Sequence, residues 1–263
     1  MIMPEHCSKN RFFDRLAVEI YDNRAAMGRA AAQAAVRYLH DFIMLRGEAR
    51  VIFACAPSQD EFLHALVDPA ISAFFIDWSK VTAFLMDDYV GLTGDHPKSF
   101  RNYLRQHLLE HVHVGCFHSL PTTESDIETA CTRYSVLLAD KPIDMIFLGI
   151  GENGHLAFND PAVASFDDPL LIKKVELDGV CRQQQVNDGC FSSIEKVPKE
   201  ALTITIPVFR QATRLSICVP GSRKAAAVRS ALCDPITPAC PASILRLHPQ
   251  AIMYLDSEAA QLL

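Results

Sequence analysis

Short apolar runs alternate with helical stretches along most of this 263-residue chain, and that alternation constrains its fold more than any other feature. Asn23 can cap a long helix carrying Ala25, Ala32, Val36, Leu39 and Phe42, which ends near Gly47. Residues 50–55 then read as a buried strand, a short apolar run with β-branched and aromatic side chains. A turn over 57–60 leads into a helix with Phe62, Leu63, Leu66 and Val67. Residues 81–86 and 144–149 make two more strands, with a helix over about 125–139 between them. Strands over 201–206 and 214–219 follow; Gly221 opens a helix through Val228 and Leu232, and 251–255 is a last strand. This order predicts an α/β fold in three layers, a mostly parallel central sheet with helices on both faces. No internal repeat or low-complexity linker breaks it, so one domain over 1–263 is expected. In such sheets ligands gather at the carboxyl ends of the strands. A candidate site residue should therefore follow directly after a strand.

Charge narrows the ligand classes. The chain carries 25 Lys and Arg against 31 Asp and Glu, a formal net charge of −6. That balance argues against non-specific nucleic-acid binding, which rests on surplus cations. An anionic ligand must instead be held by a few local cations and backbone amides. Nine cysteines are spread along the chain without a C-x-x-C pair, which fits reduced thiols rather than a disulfide frame. Residues 1–14 lack the apolar core of a signal peptide, and no apolar run approaches the ~20 residues of a membrane helix. A cytoplasmic protein without membrane partners is expected. His107, His111, His113, Cys116 and His118 crowd together, but no H-E-x-x-H pattern or matching carboxylate accompanies them. They read as a His-rich helix end and loop, and no metal is expected.

Three segments sit directly after strands. The first is MDDYVGL over 86–92, where two adjacent carboxylates are costly unless they have a task. Asp87 can serve as a general base, its pKa set by burial and by Asp88; equally, one Asp can cap a helix while its neighbour is solvated. The second is GIGENGHLAFNDP over 149–161. Its glycines, Gly151 and Gly154 among them, let the backbone approach a ligand, and His155 can move protons near neutral pH with Asp160 to orient it. The G-x-G-x-x-G spacing follows an interior strand and lacks the acidic residue about 20 positions on, which excludes a dinucleotide site. The third is VPGSRK over 219–224, a helix start with Lys224, suited to phosphate.

In their order and spacing these segments resemble the glucosamine-6-phosphate deaminase family, relatives of the 6-phosphogluconolactonases. The likeness runs from about Val51 to Leu255 and includes KVPKEALTITIP, GSRKA and LHPQAIM. The lactonase branch shares the Gly-His motif, but the FNDP ending over 158–161 sides with the deaminases. The resemblance implies a Rossmann-like fold of the sugar-phosphate isomerase type with a lid around 162–197. It also implies conversion of glucosamine or galactosamine 6-phosphate to a ketose 6-phosphate and ammonia, as part of amino-sugar metabolism and without a cofactor. By position Asp87 matches the carboxylate that moves a proton between C2 and C1, His155 the residue that assists ring opening, Asp160 its acidic partner, and Lys224 a phosphate ligand. A 6-phosphogluconolactonase-type hydrolase and a non-catalytic sugar-phosphate sensor are the alternatives. Both monomers and hexamers occur among relatives, so a homo-oligomer stays open, as does the sugar epimer.

Four positions depart from the family pattern. Asp160 stands where Glu is common, and Asn153, where an Asp is sometimes found before the Gly-His pair, cannot relay a proton. The first phosphate loop reads APSQDE over 56–61: Ser58 and Gln59 offer donors, while Asp60 and Glu61 would repel phosphate if they faced it. The family's arginine is absent near 186–191, and Arg182 is the expected substitute, since a guanidinium suits phosphate.

Overall fold

In a computed structural model, which describes residues 7, 9–72 and 76–263, the chain folds around two β-sheets. Most of the N-terminal segment read for a signal peptide lies outside the described residues. In chain order the first elements are β1 (Lys9–Phe13), β2 (Leu16–Tyr21), α1 (Arg24–Arg46), β3 (Ala49–Phe53), α2 (Asp60–Val67) and α3 (Pro69–Ser72). Next come β4 (Val81–Leu85), β5 (Asp87–Tyr89), α4 (Phe100–Leu104), β6 (Cys116–His118), α5 (Ile127–Ala139) and β7 (Met145–Leu148). The last part holds β8 (Ile172–Glu176), α6 (Gly179–Asn187), β9 (Glu200–Ile204), α7 (Ile206–Gln211), β10 (Arg214–Val219), α8 (Ala225–Cys233) and β11 (Ala251–Asp256).

The large sheet has the order β1-β2-β11-β10-β7-β3-β4-β6, and only its β1–β2 edge pair is antiparallel. This is the mostly parallel sheet expected from the sequence. Its central strands are buried along their whole length, β3 and β7 at every residue, so both faces are covered. Tilted aromatic rings pack together there: Phe147 lies 5.2 Å from Phe53 and 4.7 Å from Phe62, ring centre to ring centre. Helix α1 ends where its sequence says. Asn23 accepts from the Ala26 amide at 2.9 Å, and Gly47 closes the helix at φ 77°.

One expectation needs correction. The strand predicted over 201–206 lies outside the parallel sheet; as β9 it pairs antiparallel with β5 and β8 in a separate three-stranded sheet. That small sheet begins with β5, which follows directly after the carboxyl end of β4 and carries Asp87. From β3 the chain steps outward to β4 and β6, then returns to the other side of β3 as β7 and continues to β10 and β11. Between β3 and β7 the direction of the winding reverses, and loops at such a reversal part to leave a crevice. No helix among the described residues is long and apolar enough to cross a membrane.

Candidate active site

The crevice is where the loops after four strands meet. Its walls include Ala56 and Ser58 after β3, Met86 and Asp87 after β4, Gly149, Ile150, Gly151 and His155 after β7, and Lys224 after β10. All three segments singled out in the sequence reach it. The fourth, α6, closes one side with Gln184, Gln185 and Asp188.

The two aspartates at the end of β4 divide the tasks that the sequence left open between them. Asp88 is a structural anchor: its carboxylate accepts from the amides of Tyr89, Phe100 and Arg101 at 2.8, 2.9 and 3.1 Å, so it seats the start of α4. Burial still pushes its pKa up to about 6, against the pull of those amides. Asp87 faces the crevice and is 6% exposed. Burial first, and the charge of Asp88 second, hold its carboxyl well above the usual range. Neither residue is the solvated neighbour of the alternative reading. A carboxyl that binds its proton this tightly is, once ionised, a strong base inside a crevice.

His155 lines the same crevice. Its Nδ1 lies 2.9 Å from Asp160 Oδ1, and that same oxygen accepts from Asn153 Nδ2 at 2.9 Å. Asn153 also accepts the His155 amide at 3.0 Å, which ties the imidazole to its partner through the loop itself. Burial works to raise the Asp160 pKa, but the contacts from His155, Asn153 and Cys181 outweigh it and hold the carboxyl below its ordinary value. Asn153 thus supports the carboxylate as a donor, a task that needs no ionisable proton. The imidazole packs flat against Gly151, where an added Cβ would lie 2.2 Å from Cε1 and 2.4 Å from each ring nitrogen. Glycine is required there by contact. Gly154 is required by conformation, with φ 83° in the turn that precedes His155. Replacing Gly151 by Ala should push the ring out of place and cost roughly 100-fold in kcat/KM, the scale of a misplaced reacting group. Steady-state kinetics of a variant that unfolds like the wild type would check this.

The anion-binding candidates sort less evenly. Lys224 is buried at 6% exposure, lines the crevice and a second groove continuous with it, and its ammonium has no hydrogen-bonding partner among the described residues. Burial lowers its pKa, and Asp188 and Glu152 act against that. Ser58 lines both spaces as well. Gln59 stands behind it, 1% exposed, and donates to Ser58 Oγ at 3.2 Å and to the Cys218 carbonyl at 3.3 Å, so it positions the hydroxyl and does not line the crevice. The feared repulsion from Asp60 and Glu61 does not arise. Glu61 is taken by Arg24, at 2.8 and 2.9 Å, and Asp60 accepts the Tyr103 hydroxyl at 2.5 Å. Neither carboxylate lines the crevice.

Arg182 is the clearest correction. It sits on α6, two residues before Gln184, and positions two apart on a helix face nearly opposite ways. Its guanidinium donates to the carbonyls of Ile194 and Val197 at 2.5 and 3.2 Å and lines neither space. The cations beside Lys224 are instead Arg24 and Arg223, which line the outer groove. Arg223 bridges Glu152 at 3.2 Å and Asp188 at 2.6 Å. Sequence reasoning missed Gln184, Gln185 and Asp188. The i, i+4 spacing of Gln184 and Asp188 was the available signal. The histidine group does not converge: His107 stacks on Tyr103 with centroids 4.0 Å apart, and His118 lies under Phe84 at 4.9 Å.

Fold and site together define a doubly wound α/β protein with a crevice lined by ionisable side chains at its switch point. The sequence model of the glucosamine-6-phosphate isomerases/6-phosphogluconolactonase family matches residues 22–253, and the chain belongs to that family. It is 34% identical over 193 residues to the glucosamine-6-phosphate deaminase of Lactobacillus delbrueckii subsp. bulgaricus, covering 73% of this chain and 80% of the relative. With the same-named protein of Exiguobacterium sibiricum it shares 35% identity over 188 residues, 72% of this chain and 73% of the relative. The solved structure of a monomeric glucosamine-6-phosphate deaminase superposes with a TM-score of 0.84 at 29% identity, covering 94% of this chain and 99% of that one. A 6-phosphogluconolactonase from Shewanella baltica, 17% identical, shares the fold with a TM-score of 0.75 over 94% of this chain and all of its own.

Proposed function

We propose that the protein is an amino-sugar phosphate deaminase–isomerase, which converts glucosamine 6-phosphate or its galacto epimer to a ketose 6-phosphate and ammonium. The observation that carries this reading is that Asp87, His155 and Lys224 line one crevice. The identities of 34–35% to deaminases from two bacteria support it.

The chemistry follows from the groups. The His155–Asp160 pair delivers a proton to the ring oxygen, and the sugar opens. Asp87, ionised, takes the proton from C2 as the electron pair moves into the C1 aldehyde to give a 2-amino enol, and it then returns a proton to C1 as the nitrogen lone pair forms an iminium at C2. Water then replaces nitrogen at C2, and ammonia leaves. The open-chain aldehyde is the electron sink for the first transfer and the nitrogen lone pair drives the second, so this sequence of steps calls for no cofactor. Lys224 and the Ser58 hydroxyl hold the phosphate at the crevice mouth, with Arg24 and Arg223 adding positive charge in the outer groove. The segment over 162–197 acts as a lid, since α6 closes one wall and is tied to the rest: Gln184 accepts the Glu152 amide at 2.8 Å, and Gln185 accepts the Tyr89 hydroxyl at 2.7 Å.

Purified protein incubated with glucosamine 6-phosphate should release ammonium and fructose 6-phosphate in equal amounts. Folded protein that released neither from this sugar or from galactosamine 6-phosphate would overturn the proposal.

A further inference from the structure

We propose that Arg223 is a positioning residue for the anion site: it occupies the carboxylates of Asp188 and Glu152, which leaves the Lys224 ammonium free for the phosphate of the substrate. This inference rests on the function proposed above and gives Arg223 a task that it performs through its neighbours.

The two cations are consecutive, on the turn Ser222–Lys224 after β10, yet their surroundings differ. Every nitrogen of the Arg223 guanidinium is engaged. Nη1 donates to the Asn187 carbonyl at 2.9 Å, Nη2 donates to Asp188 Oδ1 at 2.6 Å, and Nε lies 3.2 Å from Glu152 Oε1. No edge of the fork is left to grip a phosphate in the bidentate manner. The Lys224 ammonium, by contrast, has no hydrogen-bonding partner among the described residues. Gln184 completes the arrangement: its Nε2 donates to Asp188 Oδ2 at 3.4 Å, and its Oε1 accepts the Glu152 amide at 2.8 Å. Arg223, Asp188, Gln184 and Glu152 therefore form a closed ring that joins the turn after β10, α6 and the loop after β7.

Asp188 is the carboxylate that Lys224 would otherwise take. Both residues line the crevice and the outer groove. The Asp188 side chain is only 13% exposed, so its charge needs a partner within the protein. Without Arg223, the remaining cations along these walls are Lys224 and Arg24, and Glu61 already holds Arg24. A lysine paired with a carboxylate has little charge left for a dianion, and the carboxylate itself repels one.

Arg223→Gln removes the guanidinium, and Asp188→Asn removes the carboxylate that it holds. The two substitutions and their combination make a double-mutant cycle, with wild-type unfolding transitions checked first. Calorimetric binding of fructose 6-phosphate should weaken about tenfold in the Gln variant, and KM for glucosamine 6-phosphate should rise by the same factor with kcat little changed. Asp188→Asn alone should change affinity by less than about twofold, because Arg223 has already neutralised that charge. Added to Arg223→Gln, it should bring affinity back to within about threefold of the wild type, although it cannot rebuild the lost ties to α6. Equal gains from Asp188→Asn in both backgrounds would overturn the inference and make Arg223 one more phosphate ligand. No rescue at all would overturn it too and leave Arg223 a purely structural tie. Calorimetry with inorganic phosphate repeats the cycle without sugar or turnover. The predicted pattern in a protein that releases no ammonium upholds the inference and overturns the proposed activity alone. A wild type that binds neither anion overturns both.

Discussion

Asp87→Asn should lower kcat on glucosamine 6-phosphate by about 10²–10⁴-fold, the contribution of a positioned general base. The same variant should be more stable than the wild type at neutral pH. Both effects have one cause. Burial and the Asp88 charge raise the Asp87 pKa in the folded protein, so the native state binds that proton more tightly than the unfolded chain does. Native stability is therefore fully present below the unfolded carboxyl pKa of about 4 and is lost as pH rises from there through the folded value. An asparagine never ionises and escapes that loss. The gap between the two thermal midpoints should widen from pH 4 upwards, while calorimetric binding of the product ketose 6-phosphate survives. A variant with wild-type turnover would remove Asp87 from the mechanism, and a variant destabilised at pH 7 would contradict its burial as a charge.

Lys224→Met should act on binding. The ammonium is buried and faces the crevice unpaired among the described residues, so a phosphate there would meet a cation with few competitors. Losing one partner of a buried charge pair costs about 2–4 kcal/mol, roughly 30- to 1000-fold in kcat/KM. Most of that should fall on KM. Activity on unphosphorylated glucosamine, which gains nothing from Lys224, should change little, so the preference for the phosphorylated sugar collapses. Equal losses on both sugars would place Lys224 in the chemistry instead.

The part of the fold that could be read directly was the part with continuous apolar strands. β3, β4, β7, β10 and β11 are short hydrophobic runs that announce themselves. In the small sheet only β9 gave such a signal. β5 is Asp-Asp-Tyr and β8 is Ile-Lys-Lys-Val-Glu, and both become strands only by pairing with β9. The hairpin of β1 and β2 escaped too, since β1 has a mostly exposed, polar sequence.

The site divides in the same way. Residues within one motif, such as His155, Asn153 and Asp160, were legible because the loop that spells them also brings them together. Residues whose role depends on distant partners were not. Glu61 turns away from the crevice because Arg24, 37 positions upstream, holds it. Arg182 looked like a phosphate ligand by charge, and the phase of α6, which the sequence does not announce, turns it to the Ile194 and Val197 carbonyls.

The central claim is that this crevice moves protons on an amino sugar and does not hydrolyse a lactone. One preparation assayed side by side on glucosamine 6-phosphate and 6-phosphogluconolactone tests it most directly. The account predicts equimolar ammonium and fructose 6-phosphate from the first and only the spontaneous rate with the second. Catalysed lactone opening with the amino sugar left untouched would contradict it.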